Sequence, residues 1–176
     1  MNDTKQVAKD LLGKTLIRKI GTQVLSGIIT ETEAYKGKND PASHASRKKT
    51  ERNKIMFGEV GVAYVYFTYG MHYCFNVVAK KKNDKAGAVL IRAIQPQQGI
   101  NHMIKNRKTD IISNLTNVPG KLTQAMHITL KQYYHNLTKK SSLFIIDSEK
   151  PNKITAKPRV GIKIGVDKLW NFSYKI

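Results

Sequence analysis

The sequence predicts an α+β fold: a mostly antiparallel, curved β-sheet flanked by short helices, in a single domain over residues 1–176. Three observations carry that expectation. Runs such as 62–69 and 88–94 are rich in β-branched and aromatic residues, the composition of strands. Their connections are short and turn-rich rather than helical crossovers, which implies antiparallel pairing. With 176 residues and 40% hydrophobic content the chain can bury a core without disulfide or metal. No internal repeat or shift of composition marks a linker.

Element by element, Asp3 is placed to N-cap a short helix with Val7, Leu11 and Leu12 on one face, and Gly13 ends it. Residues 14–20 and 23–35 read as two strands joined at Gly21-Thr22. Residues 36–55 form a long polar stretch with seven cationic side chains, a length that in a compact domain points to function or disorder. Strands at 62–69 and 73–79 meet at the Gly70 turn, the charged loop 80–87 follows, and 88–94 is a further strand. Pro96 is expected to open a helical region through about Asn106. A loop over 109–120 leads to a short helix around 121–128, and 143–147 and 158–166 read as closing strands.

Charge is the outlier. The chain carries 31 Lys and Arg against 12 Asp and Glu, a net charge of +19, and only 6 of the cations are Arg. A field of that size points to a polyanion, nucleic acid or an anionic membrane surface, although a merely solvated lysine-rich surface also fits charge alone. Lysine suits phosphate contact better than planar base recognition. Cys74 is the single cysteine, so no intramolecular disulfide is possible and a reducing cytoplasm is expected, nucleoid-associated in a bacterium. The first residues lack an apolar signal segment, and no apolar run nears the roughly 18 residues that cross a bilayer, so no membrane association is expected.

The chemistry concentrates near residue 33. Strand alternation puts Ile29, Glu31, Glu33 and Tyr35 on one face, two carboxylates beside an aromatic ring. One of them could be a general base beside a stacking platform; a solvated edge strand pairing with lysines gives the same pattern. Tyr64 and Tyr66 share a face, and Tyr69 and Tyr73 flank the next turn. Such a stripe is a core, or in so basic a chain a platform for nucleic-acid bases. Asn76 and Arg92 are polar groups inside apolar runs, and each needs a partner if buried. Glu31 or Glu33 is the evident partner for Arg92.

Several blocks together resemble the alkyladenine (3-methyladenine) DNA glycosylase family, the mammalian type also found in bacteria. They are Thr30-Glu31-Thr32-Glu33-Ala34-Tyr35, His44, Tyr64-Val65-Tyr66-Phe67-Thr68-Tyr69-Gly70-Met71, Asn76, Leu90-Ile91-Arg92-Ala93, Gly120-Lys121-Leu122-Thr123-Gln124-Ala125 and Arg159-Val160-Gly161-Ile162. They span nearly the whole chain in the family's order.

The resemblance implies a monofunctional glycosylase of base excision repair, acting on damaged bases in double-stranded DNA as a monomer. Glu33 would deprotonate the water that attacks C1′, and Arg92 would orient both. Tyr35, His44, Tyr66 and Asn76 would bind the flipped base, Asn76 by clashing with the 2-amino group of guanine. Tyr69 would wedge into the minor groove with Met71 and His72 beside it, and Lys121 would meet a phosphate. Two positions depart from the family's pattern: His72, where relatives can carry a tyrosine, and Asn171, where an arginine often precedes the Phe. The second is expected to touch a phosphate or structural contact rather than the chemistry. No Schiff-base lysine stands out and no paired metal-ligand spacing occurs, so neither strand cleavage, a metal nor any other cofactor is expected. A non-catalytic basic DNA- or ribosome-binding protein is the competing reading; it leaves Glu33, Tyr35 and Arg92 unexplained.

Overall fold

The computed structural model describes residues 2–176. Helix α1 (Thr4–Asp10) is capped by the Asp3 carboxylate, which accepts from the Lys5 amide at 2.8 Å. Gly13, at φ +81°, then turns the chain into β1 (Thr15–Ile20). There follow β2 (Gln23–Lys36), β3 (Ala63–Thr68), β4 (His72–Val78), β5 (Gly87–Gln98), α2 (Ile100–Arg107), α3 (Pro119–Ala125), β6 (Leu143–Ile146), β7 (Thr155–Lys157) and β8 (Asn171–Ser173). The strands form one curled antiparallel sheet in the order β3-β4-β5-β2-β1-β6, with β8 on β2 and β7 on β8. The α+β class is the one expected from the sequence.

The 14-residue β2 organises the molecule. Along one edge it pairs with β5 for most of its length. Along the other its first half, Gln23 to Ile28, pairs with β1, and further on Glu31, Thr32 and Glu33 pair with β8. The two glutamates therefore lie between a strand carrying Arg92 and a strand carrying Asn171. Two register shifts sit at this place: Ile29 opposes Ile94 and Glu31 opposes Ala93, so Thr30 is an extra residue. Thr32 then opposes Ile91, so Arg92 is extra in β5. Such bulges re-aim side chains beside active sites.

The main core gathers Leu12, Leu16, Phe75, Ile91, Met103 and Leu122, each fully or almost fully buried. A Leu or Ile buried in this way contributes about 1.5–3 kcal/mol. A smaller cluster, with Ile55, Met56 and Tyr64, lies under the 36–57 segment and is flanked by Tyr35 and Tyr66. That segment is ordered: the Asn53 amide donates to the carbonyls of His44 at 2.7 Å and Lys48 at 2.9 Å.

Three expectations are corrected. Ile29 does not share a face with Glu33 and Tyr35; it packs in the main core with Ala34, because the extra residue at Thr30 breaks the alternation. The helix expected from Pro96 begins at Ile100: Pro96 is still in β5, opposite Gly27, and Gly99 at φ +78° makes the turn. Residues 158–166 are not a strand. Gly161 and Gly165 adopt φ of +75° and +67°, which ends extended structure, and the closing pair is formed by β7 and β8 instead.

Candidate active site

A cavity of roughly 400 Å³ opens between β2, the β3–β4 hairpin, β5, the start of α3 and the 160–162 turn. Glu33 and Arg92 lie in its wall with Tyr35, His44, Tyr66 and Asn76, so six expected site residues meet in one place. Tyr69 and His72 line it from the hairpin; Met71, exposed like Tyr69, and Lys121 do not.

Glu33 is fully buried. Its Oε1 accepts from the Val160 amide at 2.7 Å and from Asn171 Nδ2 at 2.9 Å, and Arg92 Nη1 lies at 3.5 Å. Its Oε2 accepts from the Tyr35 hydroxyl at 2.7 Å. A carboxylate oxygen has two lone-pair sites. Oε1 is thereby saturated, and Oε2 retains one site not taken among the described residues. Glu31 Oε1 receives Asn171 Nδ2 at 2.7 Å, Arg92 Nε at 3.2 Å and Lys157 Nζ at 3.3 Å. Burial pushes the Glu31 carboxyl up, but Asn171 first, then Arg92 and Lys157, outweigh it, so it lies below the ordinary carboxylate range.

Around this cluster stands the aromatic wall. The Tyr64 and Tyr66 rings lie 5.1 Å apart, and the His44 ring meets Tyr66 edge-on at 4.8 Å. His44 Nδ1 is hydrogen-bonded to the Tyr64 hydroxyl at 3.0 Å. Burial, helped by the nearby Arg52, lowers the His44 pKa, so the ring is neutral at pH 7. Burial also raises the pKa of Tyr35 and Tyr66, and it pushes Tyr64 up to about 12. Asn76 is held in the wall by donating to the Tyr64 carbonyl at 3.0 Å.

The cluster is braced from behind by a fully buried ion pair. Arg159 binds both oxygens of Asp40 at 2.7 Å and the Ala34 carbonyl at 3.0 Å, with its guanidinium over Tyr35 and Trp170. It thereby ties the 36–46 loop to the turn that supplies the Val160 amide.

At the cavity mouth, Tyr69 has φ +51° and Gly70 φ +66°, and the turn closes by a bond from the Met71 amide to the Thr68 carbonyl. His72 packs on Gly120, where a Cβ would come within 2.9 Å of its ring. Lys121 points its ammonium at Asn114 and, at 3.3 Å, Asn117.

Asn171, expected to touch a phosphate or structural contact, is a fully buried amide bound to both glutamates. The signal that singled out Asn76 and Arg92, a polar residue in an apolar run, was present in Leu169-Trp170-Asn171-Phe172 too. The Val160 amide carries no side-chain signal at all.

The cavity thus joins a buried, multiply bonded carboxylate to a tyrosine-lined wall in a strongly basic chain. The family profile described as methylpurine-DNA glycosylase matches residues 1–175. A protein of Prosthecochloris aestuarii is 49% identical over 170 residues, covering 95% of this chain and 81% of its own length. One of Carboxydothermus hydrogenoformans is 47% identical over 175 residues, covering 98% and 91%. One of Clostridium botulinum is 43% identical over 185 residues, again covering 98% and 91%. All three bear 3-methyladenine DNA glycosylase as a provisional name. The chain belongs to the methylpurine-DNA glycosylase family, which makes it an N-glycosylase rather than a non-catalytic binding protein. Among the described residues no helix is long and apolar enough to cross a membrane.

Proposed function

We propose that this protein is a monofunctional DNA glycosylase that turns alkylated purines such as 3-methyladenine out of the duplex and hydrolyses their N-glycosidic bond, leaving an abasic site. The observation that carries this reading is the asymmetry of Glu33, with Oε1 taken by the Val160 and Asn171 donors and Oε2 by the Tyr35 hydroxyl alone. A water there would pass a proton to Oε2 as its oxygen bonds to C1′. The C1′–N bond breaks with its electron pair leaving on the base, and the carboxylate charge stabilises the oxocarbenium-like sugar. A cationic 3-methyladenine leaves as a neutral base and needs no acid. Arg92 orients Glu33 and the water.

The wall suits a cationic purine. Tyrosine faces attract it, and a neutral His44 does not repel it. Asn76, tied to the Tyr64 carbonyl, is a rigid obstacle to the 2-amino group of guanine. Tyr69 would fill the gap left by the extruded nucleotide and recover part of the few kcal/mol of stacking lost in flipping. Met71 and His72 would flank it on the duplex, and Lys121 would meet a phosphate once released from its asparagines. The working unit is a monomer with no cofactor.

Glu33→Gln keeps the shape of the side chain and removes its basicity. Affinity for a duplex carrying the lesion is expected to persist, while base release falls by on the order of 10³-fold. Wild-type protein that binds alkylated duplex but frees no 3-methyladenine would refute the proposal.

A further inference from the structure

We propose that Asn171 is a positioning residue for the reaction: its side-chain amide clamps Glu31 and Glu33 together and leaves Oε2 of Glu33 as the oxygen that takes the water's proton. The inference rests on the glycosylase reading above and goes beyond it, because it assigns a role to a residue outside the expected site.

The geometry is specific. An amide nitrogen has two hydrogens, and both are used, at 2.7 Å to Glu31 Oε1 and 2.9 Å to Glu33 Oε1. Its orientation is forced, since the amide oxygen in that place would face two carboxylates. That oxygen is instead buried with no partner among the described residues. An unpaired buried acceptor is normally selected against, so its presence fits a side chain held for what its nitrogen does. Register explains the reach: Asn171 is the β8 partner of Glu33, directly across from the β5 edge that carries Arg92.

The charges facing the pair come from two strands. Arg92 approaches from β5 and Lys157 from β7, and the two glutamates themselves come from β2. Asn171 adds donors without adding charge. It lets the two carboxylates lie side by side.

The test measures single-turnover release of 3-methyladenine and the dissociation constant for a duplex bearing an abasic-site analogue. It uses wild type, Glu33→Gln, Asn171→Ala and the isosteric Asn171→Asp. Folding is checked by the thermal melt. Wild-type release and its loss in the Glu33 variant test the glycosylase reading independently of Asn171. Each folded Asn171 variant is expected to lose on the order of 10²-fold in rate, with binding changed by less than about threefold. In Asn171→Ala the Glu31 carboxyl, followed by carboxylate NMR, should titrate at higher pH than in the wild type, because the amide is foremost among the groups holding it low. A folded Asn171 variant that releases base at the wild-type rate overturns the proposal. So does a rate loss matched by an equal loss of binding.

Discussion

Tyr69 carries its ring into solvent, 85% exposed, on a left-handed backbone that costs a residue with a Cβ about 1–2 kcal/mol. The ring gains nothing from packing there, so the strain is consistent with a use in binding. Tyr69→Gly should raise the melting temperature by a few degrees, since about 1 kcal/mol of strain is relieved. The same variant should slow excision from duplex more than from single strands, which have no stack to refill. Equal slowing on both substrates would remove the wedge role. Tyr69, Glu33 and Arg92 were legible as individual residues, through the family blocks and the polar-in-apolar pattern. The double contact of Asn171 was not legible because it depends on what stands across the strand, 140 residues away in the chain for Glu31.

Among the elements, β2 shows how far periodicity reaches and where it stops. Alternation correctly grouped Glu31, Glu33 and Tyr35 but misplaced Ile29, since no local signal announced the extra residue at Thr30. The 158–166 segment read as a strand from its valines and isoleucines. Its glycines decide otherwise, and the turn they make presents the Val160 amide to Glu33. The buried Asp40–Arg159 pair holds that turn against the 36–46 loop. Asp40→Ala should cost about 3–5 kcal/mol, because it strands a guanidinium in the interior. Chemical denaturation measures that loss. Excision at temperatures below the melt should fall as well, as the turn carrying Val160 loses its anchor.

For the whole molecule, the +19 charge dominates. Glu31, Glu33 and Asp40 sit close behind one pocket, but Arg92, Lys157 and Arg159 are paired with them, so this cluster is about neutral within a positive field. A duplex should be drawn to the surface by its phosphates. With 6–10 phosphates neutralised, affinity for duplex should fall by about 10³-fold or more between roughly 50 and 200 mM salt. A titration followed by fluorescence anisotropy measures the slope, and a flat dependence would mean that the lysines are only solvated surface.

The sequence by itself determined the class of fold, the family, and the residue types around the pocket, because these depend on periodicity, composition and ordered local blocks. Only the tertiary structure decided how the donors divide between the two oxygens of Glu33. That depends on donors from β2, β5, β8 and the 160 turn arriving at hydrogen-bond distance. Bulges and long-range strand register set those meetings, and neither has a signature in a stretch of chain read alone.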